Sequence, residues 1–263
     1  MRVLFITQEI TPYLPETEMS VICRNLPQGI QDMGQEIRTF MPRYGCINER
    51  RNQLHEVIRL SGMNLIISET DHPLIIKVAS IQSARMQVYF IDNEEYFNRK
   101  DALFEDEGVF FPDNDERIVF FARGVLETVR KLRWVPNIVH CHGWFTSLVP
   151  LYVKKAFRED PLFSKSKVVY SIYSDAFTGL FPDNFKNKAI IDGISKKDVA
   201  VLSENGYIAV NKLAINHSDG FVLINSIHPE VEDYIKASKK PCILHNDETY
   251  IADYEAFYEE LLQ

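Results

Sequence analysis

Two histidines and a tryptophan fall within five residues, His140-Cys141-His142-Gly143-Trp144. The apolar run Asn137–His140 leading into them reads as a buried strand. Alternation then puts both imidazoles on one side, at the carboxyl end where open α/β sheets keep their ligand crevice. There His142 can exchange hydrogen bonds with a ligand hydroxyl, and the Trp144 indole can stack on a sugar face. Each also has a plainer use, as a hydrogen-bonded core histidine and a packing indole. Two histidines lacking a third ligand at suitable spacing make a poor metal site, so no metal is expected. Tyr173 and Asp175 follow the next apolar run. Tyr173 can donate to a hydroxyl or simply fill space, and Asp175 can bind a ligand or its own loop backbone. Ser195 and Ser226 lie in no nucleophile-elbow context, and Cys141 has no apparent base, so no catalytic nucleophile is assigned. The acidic runs Glu94-Glu95 and Glu105-Asp106-Glu107 read as solvated loop charge.

The loop after the first strand is informative for what it lacks. Arg2–Thr7 reads as a buried strand and Glu18–Met33 as the helix that follows it. Between them stands Gln8-Glu9-Ile10-Thr11-Pro12-Tyr13-Leu14-Pro15-Glu16-Thr17, with two prolines and neither glycine nor lysine. A phosphate bound at such a turn needs glycines for close backbone approach and gains from a cation and a free helix N-terminus. Here Glu16 and Glu18 put negative charge where the anion would sit. The loop is expected not to hold a nucleotide-sugar phosphate, and no cofactor is expected.

The chain has 263 residues, 46% hydrophobic and 25% charged, with a net charge of −8. That composition suits a globular enzyme or binding domain, and the acidic balance argues against nucleic acid or an anionic membrane surface as partner. No apolar run suggests a signal peptide or a spanning helix, so the cytoplasm is the expected location. The four cysteines form no CxxC pair and are expected to be mostly buried free thiols.

Short apolar runs alternating with helical periodicity favour a parallel sheet covered by helices. Besides the first, the expected strands are Glu36–Met41, Gln87–Ile91, Asn137–His140, Val168–Ile172, Phe221–Ile224 and Cys242–Leu244. Residues 54–81 change pattern and read as a meander, an antiparallel extension of the sheet. Spacing predicts helices over Asp115–Arg133, capped by Asp113 or Asp115, and over Asp247–Leu262. The second has a Tyr250, Tyr254, Phe257, Tyr258 stripe that is a core face or, less favoured, a docking face. One domain, 1–263, is expected, with an α/β, Rossmann-like, doubly wound and mostly parallel sheet.

The pieces MRVLFITQEITPYLPE, RNLPQGIQDMGQEIRTFMPRY, VYFIDNEEYFNR, FPDNDERIVFFARGVLE, PNIVHCHGWFTSLVPLYVK, VVYSIYSDAFTGLF and VNKLAINHSDGFVLI resemble, in order, the N-terminal half of bacterial glycogen and starch synthases. The resemblance runs from Met1 to about residue 235. It implies a GT-B glycosyltransferase that extends an α-1,4-glucan from ADP-glucose. In such an enzyme the N-terminal domain receives the glucan and a C-terminal domain binds the nucleotide sugar. The chain ends where the first domain would, so the nucleotide-sugar domain is expected to be absent.

Glu9, Asn114, His142 and Trp144 match the family pattern, while other positions depart from it. Pro15-Glu16-Thr17-Glu18-Met19 stands where the family has a lysine and a Thr-Gly-Gly-Leu turn, and Val21 replaces an aspartate. Gly143 replaces the aspartate of a His-x-His-Asp-Trp stretch, and Ser171-Ile172-Tyr173-Ser174 replaces Thr-x-His-Asn. The expectation is a glycogen/starch synthase-like protein inactive as an isolated chain, with Glu9, Asn114, His142, Trp144, Tyr173 and Asp175 as substrate-binding candidates. The alternative is a non-catalytic glucan-binding or regulatory subunit, its partner an α-glucan, a maltooligosaccharide or a protein that completes the cleft. New chemistry at Glu9, His142 and Asp175 has no positive motif and ranks last.

Overall fold

Strand β1 (Arg2–Thr7) is buried at every position after the first, because it runs through the middle of the sheet and is covered on both faces. The computed structural model describes residues 1–104 and 108–263. Its strands are β1, β2 (Glu36–Pro42), β3 (His55–Glu56), β4 (Met63–Ile67), β5 (Thr70–Ile81), β6 (Met86–Asp92), β7 (Ile138–His142), β8 (Lys167–Ile172), β9 (Gly220–Leu223) and β10 (Cys242–Leu244). The order across the sheet is β10-β9-β8-β7-β1-β2-β6-β5-β3, with β4 paired to β5. From β10 to β6 every pairing is parallel. The expected extension is present: β5 runs antiparallel to β6, and β3 and β4 antiparallel to β5.

Helix α1 (Glu18–Asp32) carries the chain from β1 to β2. The short α2 (Glu94–Phe97) and long α3 (Asn114–Leu132) carry it from β6 back past β1 to β7. From there α4 (Leu148–Leu151), α5 (Phe185–Lys188), α6 (Gly206–His217) and α7 (Pro229–Ser238) advance through β8, β9 and β10. The winding therefore reverses between β1 and β7, the topological switch point at which doubly wound sheets open a crevice.

Helix α8 (Tyr250–Leu262) returns to the α1 side, where its Ile251 lies so close to Gly29 that a Cβ there would come within 2.6 Å of it. Tyr254, Phe257, Tyr258 and Leu261 are buried, so the aromatic stripe is a core face. Alternation assigns the sides: His140 of β7 meets Tyr258 of α8, whereas Tyr170, level with the neighbouring Cys141, meets Asn211 of α6 on the opposite face.

Element ends shift by up to three residues from those expected. Strand β7 extends to His142 because Thr7 and Ser171 flank that residue as parallel partners. Asp113 stands at the N-cap of α3 without capping it; its carboxylate grips Arg99, and Asp115 pairs with Lys188 at 2.8 Å. Neither is the expected cap. Helix α8 starts at Tyr250 because the Asn246 carbonyl takes up the Thr249 and Tyr250 amides in a preceding turn.

Candidate functional site

The crevice at the switch point opens between the carboxyl ends of β1 and β7, and the chain's own side chains close it. Gln8 spans the gap. Its amide donates to the His142 carbonyl (3.2 Å), its side-chain oxygen accepts from the Phe145 amide (3.1 Å), and its carbonyl accepts from the Tyr44 hydroxyl (3.2 Å). Just beyond β7, Gly143 has φ +82°, a conformation that side chains resist. A Cβ placed there would lie 2.8 Å from Met19 Cε and 2.9 Å from Gln8 Oε1. Gly143 is therefore built into the turn, and an aspartate cannot simply be restored at that position.

The first loop fixes a carboxylate beside the start of α1. Thr17 caps the helix: its hydroxyl accepts from the Ser20 amide at 3.0 Å, and the Ser20 hydroxyl accepts from the Thr17 amide at 2.8 Å. The same Thr17 hydroxyl donates to Glu9 Oε2 at 2.6 Å. Glu9, Glu16 and Glu18 thus all bring negative charge to the end of the helix where partial positive charge would otherwise attract an anion.

Behind the loop lies a histidine–tyrosine cluster. His140 and His142 are completely buried, with ring centres 4.0 Å apart. His140 is held at Nδ1 by the Tyr258 hydroxyl (2.6 Å) and at Nε2 by the Ser171 hydroxyl (2.7 Å). The Tyr173 hydroxyl holds His142 Nδ1 at 2.8 Å and lies 4.0 Å from Cys23 Sγ, while His142 Nε2 is buried with no partner among the described residues. Desolvation holds His140 well below the ordinary histidine range and brings His142 down to about 3. Both are neutral at physiological pH, and so weak a base as His142 is poorly matched to proton transfer near pH 7.

Trp144 is 1% exposed. Phe177 packs against it with ring centres 4.5 Å apart, and Phe110, stacked on Phe177 at 4.6 Å, lies 5.8 Å away. Phe181 meets Phe110 edge-on at 5.2 Å. Aromatic side chains of the protein itself therefore occupy the surroundings in which a sugar would stack on the indole. Asn114 is also buried, donating to the Leu103 carbonyl at 3.0 Å and accepting from Arg117 at 2.5 Å. It fastens the segment before α3.

Asp175 is half-buried behind Tyr207, whose hydroxyl donates to Asp175 Oδ1 (3.0 Å) and to the Tyr173 carbonyl (3.1 Å). Its Oδ2 has no partner among the described residues. Desolvation raises its carboxyl to about 7, against the opposing effect of the Tyr207 hydroxyl, and Glu9 adds to the rise through its negative charge.

Of the six expected site residues, the structure joins His142 to Tyr173, and Tyr207 ties Tyr173 to Asp175. Glu9 acts on Asp175 through charge, and Trp144 lies under its own aromatic cover. Asn114 is turned toward Leu103. Sequence reasoning passed over Gln8, Thr17 and Tyr207. Thr17 and Ser20 carry a recognisable cap spacing, whereas nothing local marks Tyr207, which lies far along the chain from the residues it bridges.

The remaining candidates have ordinary partners. Ser195 donates to Asp198 at 2.6 Å, and burial pushes the Cys141 thiol up, away from the reactive thiolate. Two of the four cysteines, Cys46 and Cys242, are exposed rather than buried. Glu95 Oε2 lies 3.1 Å from Nδ1 of buried His72 and Glu94 accepts from Asn98 at 2.5 Å, while Glu105, Asp106 and Glu107 lie outside the described residues. Among the described residues no group of three or more His, Cys, Asp or Glu is arranged to hold a metal ion, and no helix is long and apolar enough to cross a membrane.

With that geometry in place, comparison with known proteins is direct. The family described as the starch synthase catalytic domain matches residues 2–226. A glycogen synthase of Chlorobium luteolum is 36% identical over 196 residues, 74% of this chain and 40% of that protein. One of Chlorobium phaeobacteroides is 31% identical over 251 residues, 95% of this chain and 48% of that protein. The chain thus spans about half the length or less of these curated relatives. The solved catalytic domain of starch synthase IV from Arabidopsis thaliana, bound to ADP and acarbose, superposes with a TM-score of 0.74 at 17% identity, covering 94% of this chain and 52% of that one. That likeness shows a shared fold.

Proposed function

This chain belongs to the starch synthase catalytic-domain family, and we propose that it is a glycogen/starch synthase-like protein whose crevice no longer carries out glucosyl transfer by itself. The observation that carries the proposal is the closed switch point. His142 is spent on Tyr173, Trp144 lies under Phe177 and Phe110, and Gln8 spans the strand ends. Transfer from a nucleotide sugar requires preorganised donors around a departing diphosphate. The mouth carries the carboxyl groups of Glu9, Glu16, Glu18 and Asp175, which disfavour such a group. In this reading the chain corresponds to the acceptor-side half of a GT-B enzyme. Of the six candidate residues, Asn114, His142, Trp144 and Tyr173 form the wall of this closed crevice, with Glu9 and Asp175 beside them.

The second reading is a glucan-binding or regulatory subunit, which keeps the framework without the chemistry. The buried Asp175 Oδ2, without a partner among the described residues, favours it, since a ligand hydroxyl reaching that oxygen would satisfy it. The test is release of ADP from ADP-glucose with glycogen as primer, alongside electrophoresis through glycogen-containing gels. Release above the buffer blank refutes the first reading. No retardation by glycogen, together with no partner co-purifying from the native cell, refutes the second.

A further inference from the structure

A second concavity lies at the opposite end of the strands, where the last turn of α1 meets the starts of β2 and β6 and the end of β5. Its volume is about 510 Å³, within the usual range for a small-molecule pocket. Arg38 and Arg85 line it together with Gln31, Ser80, Gln87 and the Tyr89 ring, and no Asp or Glu is among the lining residues. This is unusual ground for a chain of net charge −8. Neither guanidinium has an ion-pair partner among the described residues. Arg38 donates Nη1 to the carbonyl of its own neighbour Ile37 (3.1 Å) and its guanidinium lies over the Trp134 ring at 5.5 Å, while its Nε has no acceptor among the described residues.

Several negative groups near it are already engaged. Glu36, the carboxylate beside Arg38, accepts from Arg2 (2.9 Å) and from the Trp134 indole. The carbonyls of Gly29, Ile30 and Gln31 at the end of α1 accept from the amides of Met33, Gln35 and Gly34. At the rim Arg24 donates to the Ser83 hydroxyl at 3.0 Å and adds a third cation.

We propose that this groove is a binding site for a phosphorylated sugar or polyol, its phosphate held by the Arg38 and Arg85 guanidiniums and its hydroxyls by Gln31, Ser80 and Gln87. The guanidinium fork fits phosphate oxygens bidentately, and carboxamide and hydroxyl groups both donate and accept, as a polyol requires. The site is separate from the switch-point crevice, so its failure leaves the reading of that crevice intact.

The test is calorimetric titration at low ionic strength with fructose 6-phosphate, inorganic phosphate, gluconate and fructose, on wild type and on R85E. Arg85 is exposed, so R85E is expected to keep the wild-type melting temperature. The proposal expects fructose 6-phosphate to bind at least tenfold tighter than inorganic phosphate, fructose not to bind, and R85E to weaken the sugar phosphate at least tenfold. It is overturned if fructose 6-phosphate gives no binding heat, or if inorganic phosphate binds as well. Tighter binding of gluconate, or equal binding by R85E, also overturns it.

Discussion

Lowering the pH should unfold this protein through His142, and the magnitude follows from its burial. In the unfolded chain the imidazole has its ordinary pKa near 6.5, whereas in the folded protein desolvation holds it to about 3. Between those two values the unfolded state binds a proton that the folded state refuses, so stability falls as pH falls. The loss from this one side chain is about 2 kcal/mol at pH 5, growing by about 1.4 kcal/mol for each further unit down to the folded value. His140 is shifted in the same direction and adds a loss of the same sign. Asp175 runs the other way: its carboxyl, raised to about 7, keeps a proton the unfolded chain has released, so it favours folding as pH falls from 7 toward 4.

Urea unfolding of wild type and H142Q at pH 7, 6, 5 and 4 separates these effects, because His140, Asp175 and the other carboxylates are common to both proteins. The pH slope of H142Q should be shallower by about 1.4 kcal/mol per unit below pH 6. Parallel profiles would mean that His142 takes up its proton in the folded state, and the reasoning from burial would be wrong.

Three further outcomes follow from the packing. Restoring the family aspartate in G143D should cost about 2–4 kcal/mol of stability, through the positive φ and the contacts with Met19 and Gln8; an unchanged urea midpoint would show that the turn can relax. Removing the cover in F177A should cost about 2 kcal/mol and shift tryptophan emission to longer wavelength, as Trp144 gains access to water. No spectral shift would place Trp144 under other cover. G29V should push Ile251 away and raise hydrogen exchange along α8 selectively, and uniform exchange across the molecule would contradict the close α1–α8 contact.

Much of the fold could be read from residue patterns because the central strands are buried on both faces. RVLFIT is apolar through its middle and its parallel neighbours are mostly buried, and the meander at 54–81 announces itself by losing that pattern. Helices α6 and α7 carry no such clear signal. In α6 most positions are buried, so no single polar face marks its period. The Asp113–Arg99 pair was invisible for a different reason: a competing partner across a loop displaced the local cap. The candidate site was half legible. The types at Glu9, His142, Trp144 and Asp175 marked the crevice, but nothing in their spacing showed that Tyr173, Phe177 and Phe110 would fill it. Those are long-range contacts, set by which loops the sheet brings together.

The most direct measurement is diffraction from crystals soaked with ADP-glucose and maltooligosaccharides. A closed crevice predicts no ligand density among Glu9, His142 and Tyr173, with the Tyr173 hydroxyl still 2.8 Å from His142 Nδ1. A saccharide seated there, with Tyr173 swung away from the imidazole, would contradict it.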